Sequence, residues 1–276
     1  MTVGEIIDGI IKKTGIGPLP KEQTCDQLIS GNSNMEVTKV VTTFMATVDV
    51  IKKAIAMDAN FIITHEPTWF NGKDCIDWLE EDPVYLEKKK MLEDNNIAVW
   101  RFHDHMHMGE EDGIYRGFDQ KTGWGKYRLQ EALPPGGGAC YGIPETSLRE
   151  LALYFKDILH MDVIQIVGNA DMKVKRVSVL VGGGSLGIGG EEVPMKIMHE
   201  HNIDLVICGD ITEWTLSAYV RDAAAFGFRK GMLVLGHERS EECGMEFLPE
   251  WISSVTGDTE TVFVDAGEPF YYIYDK

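Results

Sequence analysis

Apolar and polar positions alternate along the chain in two successive rounds of helix-like and strand-like pattern. Short continuous apolar runs bounded by polar residues predict buried strands, and apolar positions repeating every three or four residues predict amphipathic helices. Capping boxes at Thr2 with Glu5 and at Ser147 with Glu150 mark a helix start in each round. The pattern predicts an α/β protein made of two related α/β layers with mixed sheets.

A segment rich in glycine and proline, residues 116–146, separates the two rounds. Such a composition indicates a boundary, because glycine and proline interrupt regular elements. We therefore expect an N-terminal α/β domain over residues 1–125 and a C-terminal α/β domain over residues 126–276. The last predicted strand, "TETVFVDAGEP", closes the second round.

Histidines follow three of the predicted strands, in "FIITHE", "VWRFHDHMH" and "MLVLGHERSEE". Five of the eight histidines lie there, namely His65, His103, His105, His107 and His237. A single instance would also fit a strand that leaves the core through a polar loop. Three instances favour a ligand site, because the ends of parallel strands meet at one edge of a sheet. We expect a metal site at these strand ends, between the two layers.

The side chains at these strand ends are imidazoles and carboxylates without thiolates. That set suits zinc, iron, manganese or nickel. His237 and Glu241 are four residues apart, so they share one helix face if the helix has begun by His237. A carboxylate such as Glu241 can bridge two ions and so help activate a water molecule. The remaining histidines lie on predicted helices and are interpreted as surface or packing residues: His160, His199 and His201.

Charge and cysteine content narrow the function classes. The formal net charge of −18 argues against nucleic-acid binding, because phosphates would be repelled. The five cysteines show no C-x-x-C spacing, which argues against disulfides and thiolate zinc sites and suits a reducing compartment. No apolar run is long enough to span a bilayer, and the first residues lack the pattern of a signal peptide. We expect a cytoplasmic protein that binds neither membranes nor nucleic acids.

Three segments, occurring in the same order as in the family, resemble the Nif-three-like family: "VVTTFMATVDVIKKAIAMDANFIITHEPTWF", "IAVWRFHDHMHM" and "GHERSEECGMEFL". Weaker matches are "CDQLISGN", "RVSVLVGGGS" and "DLVICGDITEW". The family consists of α/β proteins with a dinuclear metal centre that form toroidal hexamers, and it is described as GTP cyclohydrolase I type 2-like. The resemblance implies two divalent transition-metal ions per chain, such as zinc, iron or manganese, and a homohexamer.

Two departures from the family pattern concern the implied ligands. The family has H-H-P where this chain has H-E-P at 65–67, and H-T-N-x-D where this chain has H-D-H-M-H at 103–107. Imidazole and carboxylate are thus exchanged in opposite directions, which leaves ligand count and charge unaltered and argues for a retained site. The G-H-x-x-S-E motif is intact at 236–241. The resemblance implies these metal ligands, with the last one bridging: His65, Glu66, His107, His237 and Glu241.

Two functions of different classes follow from these residues. The first is a metal-dependent hydrolase acting on a small nucleotide or pterin-like substrate, with His103 as a proton shuttle. The second is a metal carrier or interaction scaffold without turnover. An open coordination position that holds water favours the enzyme, whereas a closed or easily emptied site favours the carrier.

Two further features lie near these strand ends. The glycine run at 182–190 is either a plain flexible turn or a phosphate cradle, and the turn is the favoured interpretation. Asp210 and Glu213 follow the strand "LVIC" and are expected to cap the next helix rather than line a cleft.

Overall fold

The computed structural model describes residues 1–134 and 137–273. The backbone forms two compact units: Met1–Gly117 with Glu242–Gly267, and Phe118–Glu241 with the residues from Glu268 onward. This division differs from the predicted domains 1–125 and 126–276 because residues 242–267 pack with the first 117 residues. The domain assignment itself stays a prediction.

The first unit contains a five-stranded mixed sheet with the order β1-β4-β3-β2-β10. The pairs β10–β2, β2–β3 and β3–β4 are parallel, and β1 is antiparallel to β4. The strands are β1 (Leu28–Ser30), β2 (Val40–Thr43), β3 (Phe61–Thr64), β4 (Ala98–Arg101) and β10 (Thr261–Phe263). Strands β2, β3 and β4 are buried at every position, as expected for parallel strands covered on both faces.

Strand β10 explains why residues 242–267 belong to the first unit. Thr261 lies opposite Val40, and Phe263 lies opposite Thr42, so the last strand of the chain extends the first sheet. The sequence prediction identified this strand but not its partner. An apolar run of three residues specifies burial, and it carries no information about which sheet edge it joins.

The first unit contains the helices α1 (Val3–Lys13), α2 (Val48–Ala56), α3 (Pro83–Asp94) and α4 (Asp104–Met108). It also contains the first part of α5 (Gly113–Thr122), up to Gly117, and α9 (His237–Thr256) from Glu242 onward. The predicted capping box of α1 is confirmed, since the Thr2 hydroxyl accepts a hydrogen bond from Glu5 N and the Glu5 carboxylate accepts one from Thr2 N. The core beneath the helices includes Val50, Ile62 and Val99, all fully buried.

The second unit has its own five-stranded mixed sheet, with the order β5-β7-β8-β9-β6. Strands β7, β8 and β9 are parallel, and β5 and β6 are antiparallel edge strands. Its elements are β5 (Ala139–Ser147), α6 (Leu148–Ile158), β6 (Gln165–Val167), β7 (Lys173–Leu180), α7 (Val193–Glu200), β8 (Leu205–Cys208), α8 (Leu216–Ala225) and β9 (Gly231–Val234).

The predicted fold class is confirmed, with two α/β units that each contain a mixed sheet. The capping box at Ser147 and Glu150 is present at the start of α6. The core of the second unit includes Leu180, Val206 and Met232. Within the described ranges, none of the helices combines the length and the apolar character needed to cross a membrane.

Candidate metal centre

The first group of candidate ligands lies at the carboxyl ends of β3 and β4. These strands are parallel neighbours, with Thr64 opposite Arg101. The residues after each strand therefore emerge side by side at one edge of the sheet. His65 and Glu66 follow β3 directly. His103 precedes the short helix α4 as its N-cap, and His107 lies four residues later on the same helix.

Three imidazole rings meet at this edge. His65 stacks on His103 with ring centroids 4.5 Å apart, and His107 contacts both rings edge-on at 5.0 and 4.9 Å. One ring nitrogen from each histidine lies within 4.8 Å of the other two. A single ion could be bound by nitrogens converging at such distances, since metal–imidazole bonds are about 2.0–2.1 Å for zinc.

The three rings share one hydrogen-bonding pattern. Nδ1 of His65 lies 3.2 Å from the Phe102 carbonyl, Nδ1 of His103 lies 2.9 Å from Asp104 Oδ1, and Nδ1 of His107 lies 2.9 Å from Asp112 Oδ2. An oxygen acceptor at Nδ1 requires the proton to be there, so Nε2 carries the lone pair in the neutral ring. This pattern of support behind the ring is typical of metal-ligating histidines.

His105 belongs to the same H-D-H-M-H segment but is held differently. Its Nδ1 lies 2.7 Å from Asp26 Oδ2, and its Nε2 accepts a hydrogen bond of 3.0 Å from Leu19 N. The ring is 2% exposed. Both ring nitrogens are therefore engaged within the protein, and His105 serves as a structural residue rather than a ligand.

Asp26 is the residue that positions this histidine segment. Its Oδ1 accepts hydrogen bonds from the backbone nitrogens of His103 and Asp104, and its Oδ2 accepts one from His105 N. A carboxylate bound to backbone N–H groups at a helix start stabilises that helix. The resemblance of the segment "CDQLISGN" to the family does not indicate this role of Asp26. Asp112, behind His107, was likewise not predicted from the sequence.

Glu66 lies beside the three rings and is held by an arginine. Arg101 Nη2 donates to Glu66 Oε2 at 3.1 Å, while Glu66 Oε1 lies 3.6 Å from His103 Nε2. The Arg101 side chain is 4% exposed and also bonds the carbonyls of His65 and Gly72. One carboxylate oxygen of Glu66 is thus fixed by Arg101, and the other faces the histidine side.

Burial and hydrogen bonding set the charge of the groups in this cluster. The pKa of His65 is well below its usual value because the ring is completely buried, and His103 and His107 lower it further. The pKa of Asp104 is also lowered, chiefly by its hydrogen bond to His103. His65 is therefore neutral and Asp104 ionised at physiological pH. A neutral imidazole is the form that binds a cation.

The second group of candidate ligands lies in the other unit, after strand β9. Helix α9 begins at His237, so the predicted spacing of four residues places His237 and Glu241 on one helix face. Nε2 of His237 lies 3.1 Å from Glu241 Oε2. Nδ1 of His237 lies 2.9 Å from Asp210 Oδ2. His237 therefore shows the same pattern as the three histidines of the first group, with an oxygen acceptor behind Nδ1, here the carboxylate of Asp210.

Asp210 has a different role from the one expected. Helix α8 begins after Thr215, whose side chain makes no capping hydrogen bond, so neither Asp210 nor Glu213 caps the helix. That expectation is wrong because α8 starts later than the strand end suggested. Asp210 is instead oriented by the backbone, since Asp210 N donates to Gly182 O at 2.9 Å.

Gly182, the first residue of the glycine run, packs directly against the His237–Glu241 pair. Its φ is 49°, and a Cβ at this position would overlap Glu241 Oε1 and lie 2.8 Å from His237 Nε2. Gly182 N also donates to Ser240 Oγ at 2.9 Å. The run continues as a 3-10 helix over Gly182–Leu186. Its first glycine is thus needed for close approach of the backbone to the carboxylate and imidazole.

The residues present fit a transition-metal site by the chemistry of their donor atoms. In the first unit the structure brings together His65, Glu66, His103 and His107, and in the second it brings together His237, Glu241 and Asp210. Four imidazoles present Nε2 lone pairs next to carboxylates, and a glycine leaves room where any side chain would fill it. His103 lies inside the first group, so it is as close to the candidate ligands as they are to one another.

The fold and these two groups define an α/β protein with candidate metal-ligating histidines and carboxylates at strand ends. A family model for Duf34/NIF3 (NGG1p interacting factor 3) matches residues 14–269. The chain belongs to this family. The resemblance found in the sequence is thereby confirmed.

Relatives in sequence and in structure agree with that assignment. The chain is 28% identical over 214 residues to a "GTP cyclohydrolase 1 type 2 homolog" of Clostridium acetobutylicum, covering 72% of this chain and 75% of that protein. A protein of the same description from Clostridium perfringens is 23% identical, with 89% and 90% covered. The structure of a Bacillus cereus protein related to NIF3 has a TM-score of 0.72 at 16% identity, with 99% of each chain covered.

Proposed function

We propose that the protein binds two divalent transition-metal ions per chain and uses them to hydrolyse a small substrate. The proposed ligands are His65, Glu66, His107, His237 and Glu241, with Glu241 as the bridging carboxylate. Zinc, iron and manganese all suit this ligand set. The observation that supports the proposal most directly is the shared arrangement of His65, His107 and His237, each with an oxygen acceptor behind Nδ1.

His103 is the proposed proton-transfer group. Asp104 stays ionised and holds the proton on His103 Nδ1, so Nε2 is the atom that accepts or donates a proton. The His103 side chain is 26% exposed, which gives a substrate access to it. The bound ions would supply a water molecule of lowered pKa and polarise the bond under attack. The hydrogen bond from Arg101 holds the Glu66 carboxylate in place beside His103.

The proposed substrate is a small nucleotide or a pterin-like ring. Its support is the description of the relatives as GTP cyclohydrolase 1 type 2 homologs. No phosphate cradle is proposed at the glycine run, because Gly182 serves the close approach to His237 and Glu241. The net charge of −18 makes bound cations the main source of attraction for an anionic substrate.

Turnover of GTP is the experiment that tests the enzymatic part. Protein loaded with zinc, iron or manganese is incubated with GTP, and product formation is followed by chromatography. We expect turnover that chelation abolishes, and a loss of roughly a hundredfold or more in His103→Asn with the metal content unchanged. His199→Asn, at an exposed position on α7, is the matched control.

The alternative function is a metal carrier or scaffold without turnover. It is supported by the partial exposure of the His107 and His237 side chains, 24% and 33%, which would let ions exchange. Retained metal binding without turnover of GTP or of a reduced pterin would favour the carrier over the hydrolase.

We also propose a homo-oligomer, specifically a hexamer, and a cytoplasmic location. Large aromatic side chains flanking α8 support assembly: Trp214 is 73% exposed, Phe226 is 80% exposed and Phe228 is 64% exposed. Exposed aromatic groups of this size are typical of interaction surfaces. The five cysteines form no disulfide within the described ranges, which suits a reducing compartment.

A further inference from the structure

A cavity of about 170 Å³ lies within the first unit, on the side of α4 that carries His105 and Met106. Its apolar wall is formed by Phe102, Met106, Leu248 and Trp251. Phe102 and Trp251 stack nearly parallel, at an interplanar angle of 20° and a centroid distance of 6.3 Å. Trp251 is the partly exposed aromatic side chain of this wall, and the buried Phe102 fixes its ring by stacking on it.

The size and lining of this cavity match one aromatic ring. An engineered apolar cavity of about 150 Å³ is known to bind benzene, so a space slightly larger than that accommodates a benzene-sized ring. Aromatic walls favour an aromatic ligand, because ring pairs gain stacking energy beyond the area they bury. His105 also lines the cavity, but both of its nitrogens are already bonded, so the interior offers no metal ligand.

Four charged side chains line the mouth of the cavity: Arg116 and Glu111 form an ion pair, and Lys13 and Glu110 lie outside it. Arg116 donates to Glu111 at 2.8 Å and lies over the Phe247 ring. The ammonium of Lys13 contacts Ser254 Oγ at 2.9 Å and lies over the Trp251 ring at 5.5 Å. Within residues 1–134 and 137–273, Lys13 has no carboxylate within ion-pair distance. Glu110 is the remaining exposed carboxylate of the lining, and no cation pairs with it in those ranges.

We propose that this cavity binds a free aromatic α-amino acid. The ring enters the apolar wall beside Trp251, the carboxylate of the ligand faces Lys13, and its ammonium faces Glu110. A zwitterion supplies a counter-charge to both Lys13 and Glu110, whereas a ligand with a single charge supplies one to only one of them. None of the proposed metal ligands lines this cavity, so its occupancy requires no metal.

The test uses three fluorinated probes that differ only in charge. The probes are para-fluorophenylalanine, para-fluorophenylpropanoate, which lacks the ammonium, and para-fluorophenethylamine, which lacks the carboxylate. Their binding to the full-length chain is measured by fluorine NMR titration. We expect the amino acid to bind roughly threefold or more tightly than either analogue, because each exposed ion pair contributes modestly. High salt should reduce this difference.

Substitutions at the mouth identify which charge each group of the ligand meets. Lys13→Met should remove the advantage of the amino acid over the amine while keeping its advantage over the acid. Glu110→Gln should do the reverse. These two opposite results distinguish the proposed orientation from a general effect of charge on the surface.

Substitutions in the wall test the place of the ring. Trp251→Leu should weaken all three probes by roughly tenfold, and Trp251→Phe should keep most of the affinity. The matched control is Trp214→Leu, at an exposed tryptophan of the second unit. If circular dichroism shows that Trp251→Leu does not fold, the two mouth variants decide the question.

Three results would overturn the proposal. The first is the absence of binding by all probes at millimolar concentration. The second is an affinity for para-fluorophenylalanine that does not exceed the affinities for both the propanoate and the phenethylamine probe. The third is unchanged binding in a folded Trp251→Leu variant, which would place the ligand elsewhere.

Discussion

The five histidines that follow strands β3, β4 and β9 differ in what holds their ring nitrogens. Each of the five has an oxygen acceptor at Nδ1, and the difference lies at Nε2. Nε2 of His105 accepts a hydrogen bond from Leu19 N, whereas Nε2 of His103 and of His237 faces the carboxylate of Glu66 or Glu241. Residue type and spacing cannot make this distinction. Asp26 lies 79 residues before His105, so only the folded chain shows which histidine of the H-D-H-M-H segment is structural.

Gly182 is the residue whose substitution should separate backbone geometry from ligand chemistry. In Gly182→Ala the new methyl group would overlap Glu241 Oε1, and the positive φ would add backbone strain. We expect the variant to lose most of its bound metal while remaining folded, as measured by elemental analysis and circular dichroism.

Gly183→Ala is the matched control for this substitution. A Cβ at Gly183 would have no heavy atom within 4 Å, so its metal content should equal that of the unchanged protein. Full metal content in Gly182→Ala would mean that Glu241 is not a ligand.

At the scale of elements, the sequence predicted those helices and strands whose signals are local. The capping boxes of α1 and α6 are present, and α9 begins at His237. Helix α4 was not predicted, because its five residues, two of them histidines, carry no helical periodicity. It forms because Asp26, distant in sequence, bonds the backbone at its start. The partner of β10 was missed for the same reason, since it depends on a long-range contact.

Helix α3 contains a buried lysine that should make stability depend on pH. Burial lowers the pKa of Lys88 to about 8 from 10.5, while Asp74 acts in the opposite direction. Lys88 Nζ donates to Thr68 O at 2.8 Å and lies over the rings of Trp69 and Phe70. Below pH 8 the folded state bears the full cost of the buried charge. As pH rises from 8 to 10.5, the folded state releases this proton before the unfolded state does, so stability rises.

The free energy of unfolding in urea should therefore increase with pH in the unchanged protein relative to Lys88→Met. The difference should grow by about 1.4 kcal/mol per pH unit between pH 8 and 10.5. Lys89→Met, at a more exposed neighbour, is the control and should follow the unchanged protein. Parallel pH profiles for Lys88→Met and the unchanged protein would contradict the burial of a charged Lys88.

At the scale of the whole molecule, the family assignment covers residues 14–269, and the structural relatives span nearly the whole chain. The fold class was predictable because buried strands and amphipathic helices alternate twice. The makeup of the two compact units was not, because residues 242–267 follow the second round in sequence and pack with the first unit. The candidate ligands could be predicted from sequence motifs. The carboxylates that hydrogen-bond to their Nδ1 atoms, such as Asp112 and Asp210, were identified only in the structure.

The proposed hexamer should be visible in the mass of the particle. Light scattering is expected to give a mass several times the 30.9 kDa of the single chain. The double variant Trp214→Lys, Phe226→Lys should give a smaller particle, because it places charges on the exposed aromatic surface beside α8. Trp78→Lys, at an exposed tryptophan of the first unit, is the comparison and should keep the mass. A single chain at micromolar concentration would contradict the assembly.

Particular histidines, distinguished by the partners of their ring nitrogens, should bind transition metals. The most direct test is elemental analysis of protein purified without chelators or a metal-affinity tag, comparing four single substitutions to glutamine. About two ions per chain are expected in the unchanged protein. His107→Gln and His237→Gln should each lose metal, while folded His105→Gln and His199→Gln should retain it. Loss of metal in His105→Gln together with full content in His107→Gln would show that the partners of the ring nitrogens do not identify the metal ligands.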